Sequence, residues 1–229
     1  MEEIDAGTLQ VRSVGIWLKQ WLVLTSGTFE DFNTMTVGWG SIGGMWGRPF
    51  VQVVVRPGRH TLQYMEKSPT FTLCAFPKSC KEALMVLGTK SGRDSDKVAE
   101  SGLTVVKSKV VEAPAYKEAE LILECRKTYW QDMNPENFLS GAIEENYPQK
   151  DYHRIYYGEI VRAAGEAAYR GYGGGIILVP VEERFGGLVS CQRYSVISLC
   201  KKASLVFLFI GEGPFCSFKF YDDEYRHNL

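Results

Sequence analysis

The sequence predicts a mostly β protein: a mainly antiparallel barrel with short helical insertions, followed by an unassigned C-terminal tail. Short apolar, β-prone runs recur along most of the chain, each bounded by turn residues. Segments of helical periodicity are few, short and unevenly placed, which does not fit a repeating βαβ sheet. From about Arg162 the character changes, with glycines and cysteines crowding into a region that carries no recognisable catalytic pattern.

The elements follow in order. Trp21 to Thr25 reads as a first strand and Thr34 to Trp39 as a second. Phe50 to Val55 is almost unbroken apolar sequence, long enough for a buried strand and too short for a helix. Pro57-Gly58 ends it. A helix is expected from about Arg59 to Lys67, with Leu62 and Met65 inward and Ser68-Pro69 as its stop. Phe71 to Phe76 is the next strand. Ser79 and Glu82 have capping-box spacing, and Cys80, Ala83, Leu84 and Leu87 share one helical face before Gly88 closes the helix. A third short helix spans Asp94 to Ser101, with Asp94 as cap and Gly102 as stop. Leu103 to Val106, Leu121 to Tyr129 and Arg154 to Val161 complete the strands. The division expected is a barrel over residues 1–163 and a glycine-rich linker and extension of unknown role over 164–229. In that extension Gly171 to Gly175 reads as linker, and Ile176 to Pro180 and Leu205 to Ile210 are apolar and β-prone.

Composition narrows the function classes. The chain has 229 residues, 45% hydrophobic and 23% charged, as expected of one or two ordinary globular domains. A net charge of −1 does not favour nucleic acid as a general partner. The acidic start, Met1-Glu-Glu-Ile-Asp5, lacks the basic and apolar regions of a signal peptide. No apolar run approaches the roughly 18 residues of a membrane span, so a cytoplasmic protein without membrane association is expected. Cys74, Cys80, Cys125, Cys191, Cys200 and Cys216 form no C-x-x-C pair and none lies near two histidines, so no metal site is expected. Free buried thiols are favoured over disulfides.

One motif is misleading. Gly38-Trp-Gly40-Ser-Ile-Gly43 matches G-x-G-x-x-G, but a dinucleotide fingerprint needs a helix to begin inside those glycines. Gly44-Met-Trp-Gly-Arg-Pro49 follows instead and cannot start a stable helix. The glycines are read as a tight turn or a close backbone approach.

Two stretches carry the chemistry. Asn33-Thr-Met-Thr-Val-Gly-Trp39 places an amide, two hydroxyls and a thioether on a short extended segment. Asn33, Thr34 and Thr36 can offer side-chain or backbone partners to the polar edge of a planar ring, and Met35 can pack on its face. The alternative is an Asn turn followed by a half-buried strand. Val55-Arg-Pro-Gly-Arg-His-Thr61 empties an apolar strand into a basic turn and a helix start. There Arg59, His60 and Thr61, joined by Arg56, suit a phosphate; the alternative is a solvated basic turn. A flat ring at one end and a phosphate at the other is the shape of FMN. Trp39 and Trp46 either stack on such a ring or fill the core, with core favoured for each taken singly. No Ser–His–Asp set or hydrolytic carboxylate pair emerges.

With Ser91-Gly-Arg-Asp-Ser-Asp-Lys97 and His153-Arg-Ile-Tyr-Tyr-Gly-Glu-Ile160, these make four stretches in matching order and spacing. Over residues of about 20 to 163 the chain resembles the flavin reductase-like family of FMN-binding split barrels, close to flavoredoxin. The resemblance implies a split β-barrel and a homodimer with one FMN per subunit near the interface. It places Ser91, Gly92, Arg93 and Lys97 near the phosphate, and His153 near the open face of the flavin as the candidate catalytic residue. A surface turn capped by Asp94, and a surface-strand histidine, are the alternatives for those two stretches. The activity implied is transfer of hydride from NADH or NADPH through FMN to a free flavin, to oxygen or to a protein acceptor. The other readings are a non-enzymatic electron carrier and a flavin-free binding module.

Overall fold

The computed structural model describes residues 1–171 and the short segments 198–199, 206–209 and 218–221. The Tyr172 to Gly175 part of the expected linker and the run 176–180 lie outside the described residues. The chain divides into two compact units, Met1–Gly171 and Tyr172–Leu229.

The first unit is built on one antiparallel sheet. Its strands are β1 (Glu2–Ile4), β2 (Leu22–Gly27), β3 (Phe32–Val37), β4 (Gly40–Met45), β5 (Arg48–Val55), β6 (Thr70–Ala75), β9 (Leu121–Asp132) and β10 (Arg154–Gly165). A two-stranded ladder of β7 (Val105–Val106) and β8 (Ala115–Tyr116) stands apart. The helices are α1 (Thr61–Lys67), α2 (Lys81–Thr89) and α3 (Lys97–Ser101). The sheet runs β3-β2-β6-β9-β10-β5-β4, with β1 on β10. Its two ends, β3 and β4, are consecutive in sequence and joined through Gly38 and Trp39, yet no ladder forms between them. That unpaired seam is where the barrel is split.

Strand alternation explains the apolar runs. In β2, Leu22 and Leu24 enter the barrel core with Val53, Phe71 and Leu123. Val23 between them faces the other way, into a second core with Leu84 and Leu87 of α2, Phe76 and Tyr116. Both faces are covered, so the strand reads as continuously apolar. In α1 Met65 is fully buried and Leu62 packs against the barrel core, as the periodicity predicts.

Several local expectations need correction. Ser79 does not cap α2: a single tight turn at Lys78–Cys80 precedes the helix, and no side chain caps it. The helix also runs through Gly88 to Thr89. The cap of α3 is Asp96, which accepts from the Ala99 amide, rather than Asp94. Gly102 does end that helix, at φ +70°. The Gly-rich motif is β4, hairpinned onto β5 through Trp46 and Gly47, both at positive φ as a two-residue turn requires. Neither Trp39, 45% exposed, nor Trp46, 65% exposed, fills the core.

Ala164 and Gly165, just past the composition boundary at 163, still pair with β1 and β9. In the second unit β11 (Ser198–Leu199), β12 (Val206–Phe209) and β13 (Phe218–Tyr221) form an antiparallel sheet; β12 falls within the apolar run 205–210. Among the described residues Cys74, Cys80 and Cys125 are unbridged. No helix among them is long and apolar enough to cross a membrane.

Candidate functional site

Most of the predicted binding residues converge on one junction. Asn33, at the start of β3, is buried and donates from Nδ2 to the Thr61 hydroxyl, 3.1 Å away at the first turn of α1. Gly92 presses on the same amide: a Cβ there would lie 2.4 Å from Asn33 Oδ1. Arg93 donates to the Gly58 carbonyl at 3.3 Å, and its amide donates to Ser91 Oγ at 3.2 Å. Arg59 donates to the Gly88 carbonyl at 2.7 Å. The turn after β5, the loop after α2 and the start of β3 are thereby laced together. Beside them opens a cleft of about 710 Å³, lined by Asn33, Gly92, Arg93 and Lys97.

Lys97 is only 4% exposed, and its ammonium donates to the Leu87 and Lys90 carbonyls at 3.1 and 3.2 Å. These are among the last carbonyls of α2, which a cation satisfies well. An ammonium has three donors, so one remains for another partner. Burial, reinforced by the nearby Arg59, pulls the Lys97 pKa down to about 8. His60 is shifted down as well, by burial first and then by Arg93 and Lys97, with Asp31 and Asp94 opposing. Its Nδ1 is buried without a hydrogen-bond partner. Arg93 and Lys97 line the cleft together with the carboxylates Glu30, Asp31, Asp94 and Asp96, while Arg59 and His60 lie behind its lining, within electrostatic range of Lys97 or Arg93. The basic groups and the orphaned imidazole nitrogen form a donor set that an anion would satisfy. Of the cleft's four carboxylates, Asp31 accepts from the Tyr64 hydroxyl and Asp96 from the Ala99 amide. The free amides expected at the start of α1 are partly used, since Leu62 and Gln63 donate to Arg59 and His60.

The remaining residues lie elsewhere. Thr34 is fully buried and pairs with the Thr25 hydroxyl and the Leu24 carbonyl. Met35 packs in the barrel core. Thr36 faces α2 at Gly88, where a Cβ would meet its hydroxyl at 2.1 Å. Arg56 is held by Asp151 at 3.0 and 3.2 Å and donates to the Asn146 carbonyl. Glu159 is held by Arg48 at 2.8 and 2.9 Å.

His153 forms a second group with Trp39, whose ring centroid is 5.2 Å from the imidazole. The histidine is buried, and its Nδ1 lies 2.9 Å from the Tyr147 hydroxyl. Burial first, then Arg56 and Arg59, lower its pKa to about 4 against the pull of Asp151. The ring is therefore neutral at ordinary pH. Trp39 sits on the β3–β4 seam, so this group flanks the split in the barrel. Tyr147 and Asp151 carry no motif that sequence reasoning picked up. A further cleft of about 720 Å³, lined by Gln20, Trp21, Lys81, Glu120 and Tyr169 among others, contains none of the predicted residues.

Comparison with known proteins places this geometry in context. The sequence profile of the flavin reductase like domain matches residues 19–173. An uncharacterized protein of Pyrococcus abyssi is 26% identical over 122 residues, 53% of this chain and 69% of its own. An FMN-binding protein from Thermus thermophilus, solved with bound 1-cyclohex-2-enone, superposes with a TM-score of 0.52 at 18% identity, covering 72% of this chain and 85% of its own. The NADH:FAD oxidoreductase of Streptomyces globisporus gives 0.52 at 18% identity over 66% and 78% of the two chains. A Shewanella frigidimarina protein with a split barrel domain gives 0.52 at 17% identity over 71% and 77%. At these identities the structures establish the split-barrel fold.

Proposed function

The chain belongs to the flavin reductase like family, and from that premise we propose that it is an FMN-dependent oxidoreductase. Hydride comes from NADH or NADPH, and electrons leave to a free flavin, to oxygen or to a protein acceptor. The observation that carries the reading is the junction where Asn33, Thr61 and Gly92 meet beside Lys97, Arg93 and the unpartnered His60 Nδ1. That donor set suits a phosphate monoester, and the crowding at Gly92 leaves room for main chain only. FMN, when bound, supplies a ring that takes up hydride and passes electrons on.

The protein's part is to bind, orient and exclude water. Lys97 and Arg93 would neutralise the phosphate; Arg59 would join by turning from the Gly88 carbonyl. Asn33 holds the turn of α1 against β3 and so sets the spacing between phosphate and ring. Trp39 offers a half-exposed flat surface at the barrel seam, with His153 beside it as a neutral hydrogen-bonding group. We place flavin chemistry in residues 1–163 and assign no part of it to 164–229. We also take the active form as a homodimer.

The test is spectroscopic and kinetic together. The protein should bind FMN with saturable quenching of its fluorescence, and then oxidise NADH or NADPH in the steady state. FMN binding without nicotinamide oxidation would make it an electron carrier instead. Neither FMN binding nor oxidation would leave a split-barrel binding module.

A further inference from the structure

The connection between β9 and β10 holds an aromatic group that the reading above does not use. Tyr147 is 3% exposed, stacked on Phe138 at 6.0 Å and against Tyr152 at 5.0 Å. The Arg56 guanidinium lies over its ring at 5.3 Å. Arg56 also grips the same connection through Asp151 and the Asn146 carbonyl. These contacts tie the connection to the end of β5 and fix where the Tyr147 hydroxyl sits. That hydroxyl faces two acceptors: His153 Nδ1 at 2.9 Å and Met133 Sδ at 3.3 Å.

A phenol has one proton to give, and a thioether is a weak acceptor beside a neutral imidazole nitrogen. Donation from Tyr147 to Nδ1 requires the imidazole proton to sit on Nε2. The converse, Nδ1–H donating to the phenol oxygen and the hydroxyl proton passing to sulfur, replaces one strong bond to an imidazole nitrogen by two bonds to poor acceptors. The charged groups facing the ring are Arg56, Arg59 and Asp151; with burial, the two guanidiniums outweigh the carboxylate and keep the ring neutral.

We propose that Tyr147 is a positioning residue that locks His153 as the neutral Nε2–H tautomer, which donates to a carbonyl-type acceptor on the hydride donor, such as a nicotinamide carboxamide. The tautomer stands on the hydrogen-bond geometry alone; the identity of the acceptor rests on the proposed function.

The chain has 3 histidines, so ¹⁵N-histidine NMR can resolve them, with His153→Gln assigning the signal. At neutral pH the proton of His153 should sit on Nε2, and Tyr147→Phe should turn this into a mixture of tautomers. Met133→Leu, which removes the competing acceptor, should change nothing. A proton on Nδ1 in the wild type, an unaltered tautomer in Tyr147→Phe, or a tautomer switch in Met133→Leu would overturn the assignment. In NADH oxidation, Tyr147→Phe should raise KM roughly two- to tenfold, as expected for one neutral hydrogen bond, with FMN affinity unchanged. An unchanged KM would remove the donor role. A wild-type protein inert toward both nicotinamides would remove the proposed function and the acceptor with it, while the NMR result would still decide the tautomer.

Discussion

Lys97 is the residue whose charge state sets the strength of the candidate anion site. Its pKa of about 8 in the free protein comes from burial and Arg59, and a bound phosphate would raise it again. Binding above pH 8 then requires uptake of a proton, so affinity should fall as pH rises through 8. FMN titrations from neutral to alkaline pH should show this decline, and Lys97→Met should bind more weakly at neutral pH and lack it. A wild-type affinity flat across that range would take Lys97 out of the site. Arg59→Ala should weaken FMN binding by about 1–3 kcal/mol, the range for a charge-assisted hydrogen bond. Equilibrium titration measures it, and an unchanged Kd would show that Arg59 serves only the Gly88 carbonyl. Which residues meet was legible where donors cluster in sequence, as at Arg59-His60-Thr61 and Ser91-Gly92-Arg93. Tyr147 was not, because its meaning comes from Arg56 and His153, brought to it by the fold.

At the scale of elements, the seam between β3 and β4 organises the site. β3 brings Asn33 to α1 at one end and leads to Trp39 at the other, beside His153 at the start of β10. Sequence periodicity found β2, β3, β5, β6, β9 and β10 because each buries a regular set of side chains. It missed β4, whose Gly40-Ser-Ile-Gly-Gly-Met45 offers few side chains to pattern. Here a glycine has a physical reason: a Cβ on Gly40 would lie 2.3 Å from the Gln52 carbonyl oxygen and 2.5 Å from the Trp17 ring. Gly40→Ala should therefore destabilise the fold by about 1–3 kcal/mol, the usual cost of overpacking. Denaturant unfolding reads it directly; a change within experimental error would mean that the β4–β5 pairing is looser than described. Cap positions were misread for a simple reason. Ser79, Asp94 and Asp96 all have capping chemistry, and which one caps depends on where the chain turns, a tertiary matter.

At the scale of the whole molecule, the family and the split-barrel fold were both legible from four short stretches, three of which meet at one junction while the fourth brings His153 to Trp39 at the seam. The tail was not, because residues beyond Gly171 carry no pattern that ties them to the barrel. A chain ending at Gly171 should fold and keep its FMN affinity, since every described strand of the first unit is then intact. Circular dichroism and an FMN titration on that truncation test it, and loss of folding would show that the extension completes the first unit. Gel filtration with light scattering should find the full chain dimeric; a monomer that still oxidises NADH would sink the proposed assembly. The most direct test of the central claim is the visible spectrum of the purified protein, followed by titration with FMN. The account predicts the absorption of an oxidised flavin, or saturable fluorescence quenching on adding FMN, in either case weakened by Lys97→Met. A colourless protein that leaves FMN fluorescence unchanged would contradict it.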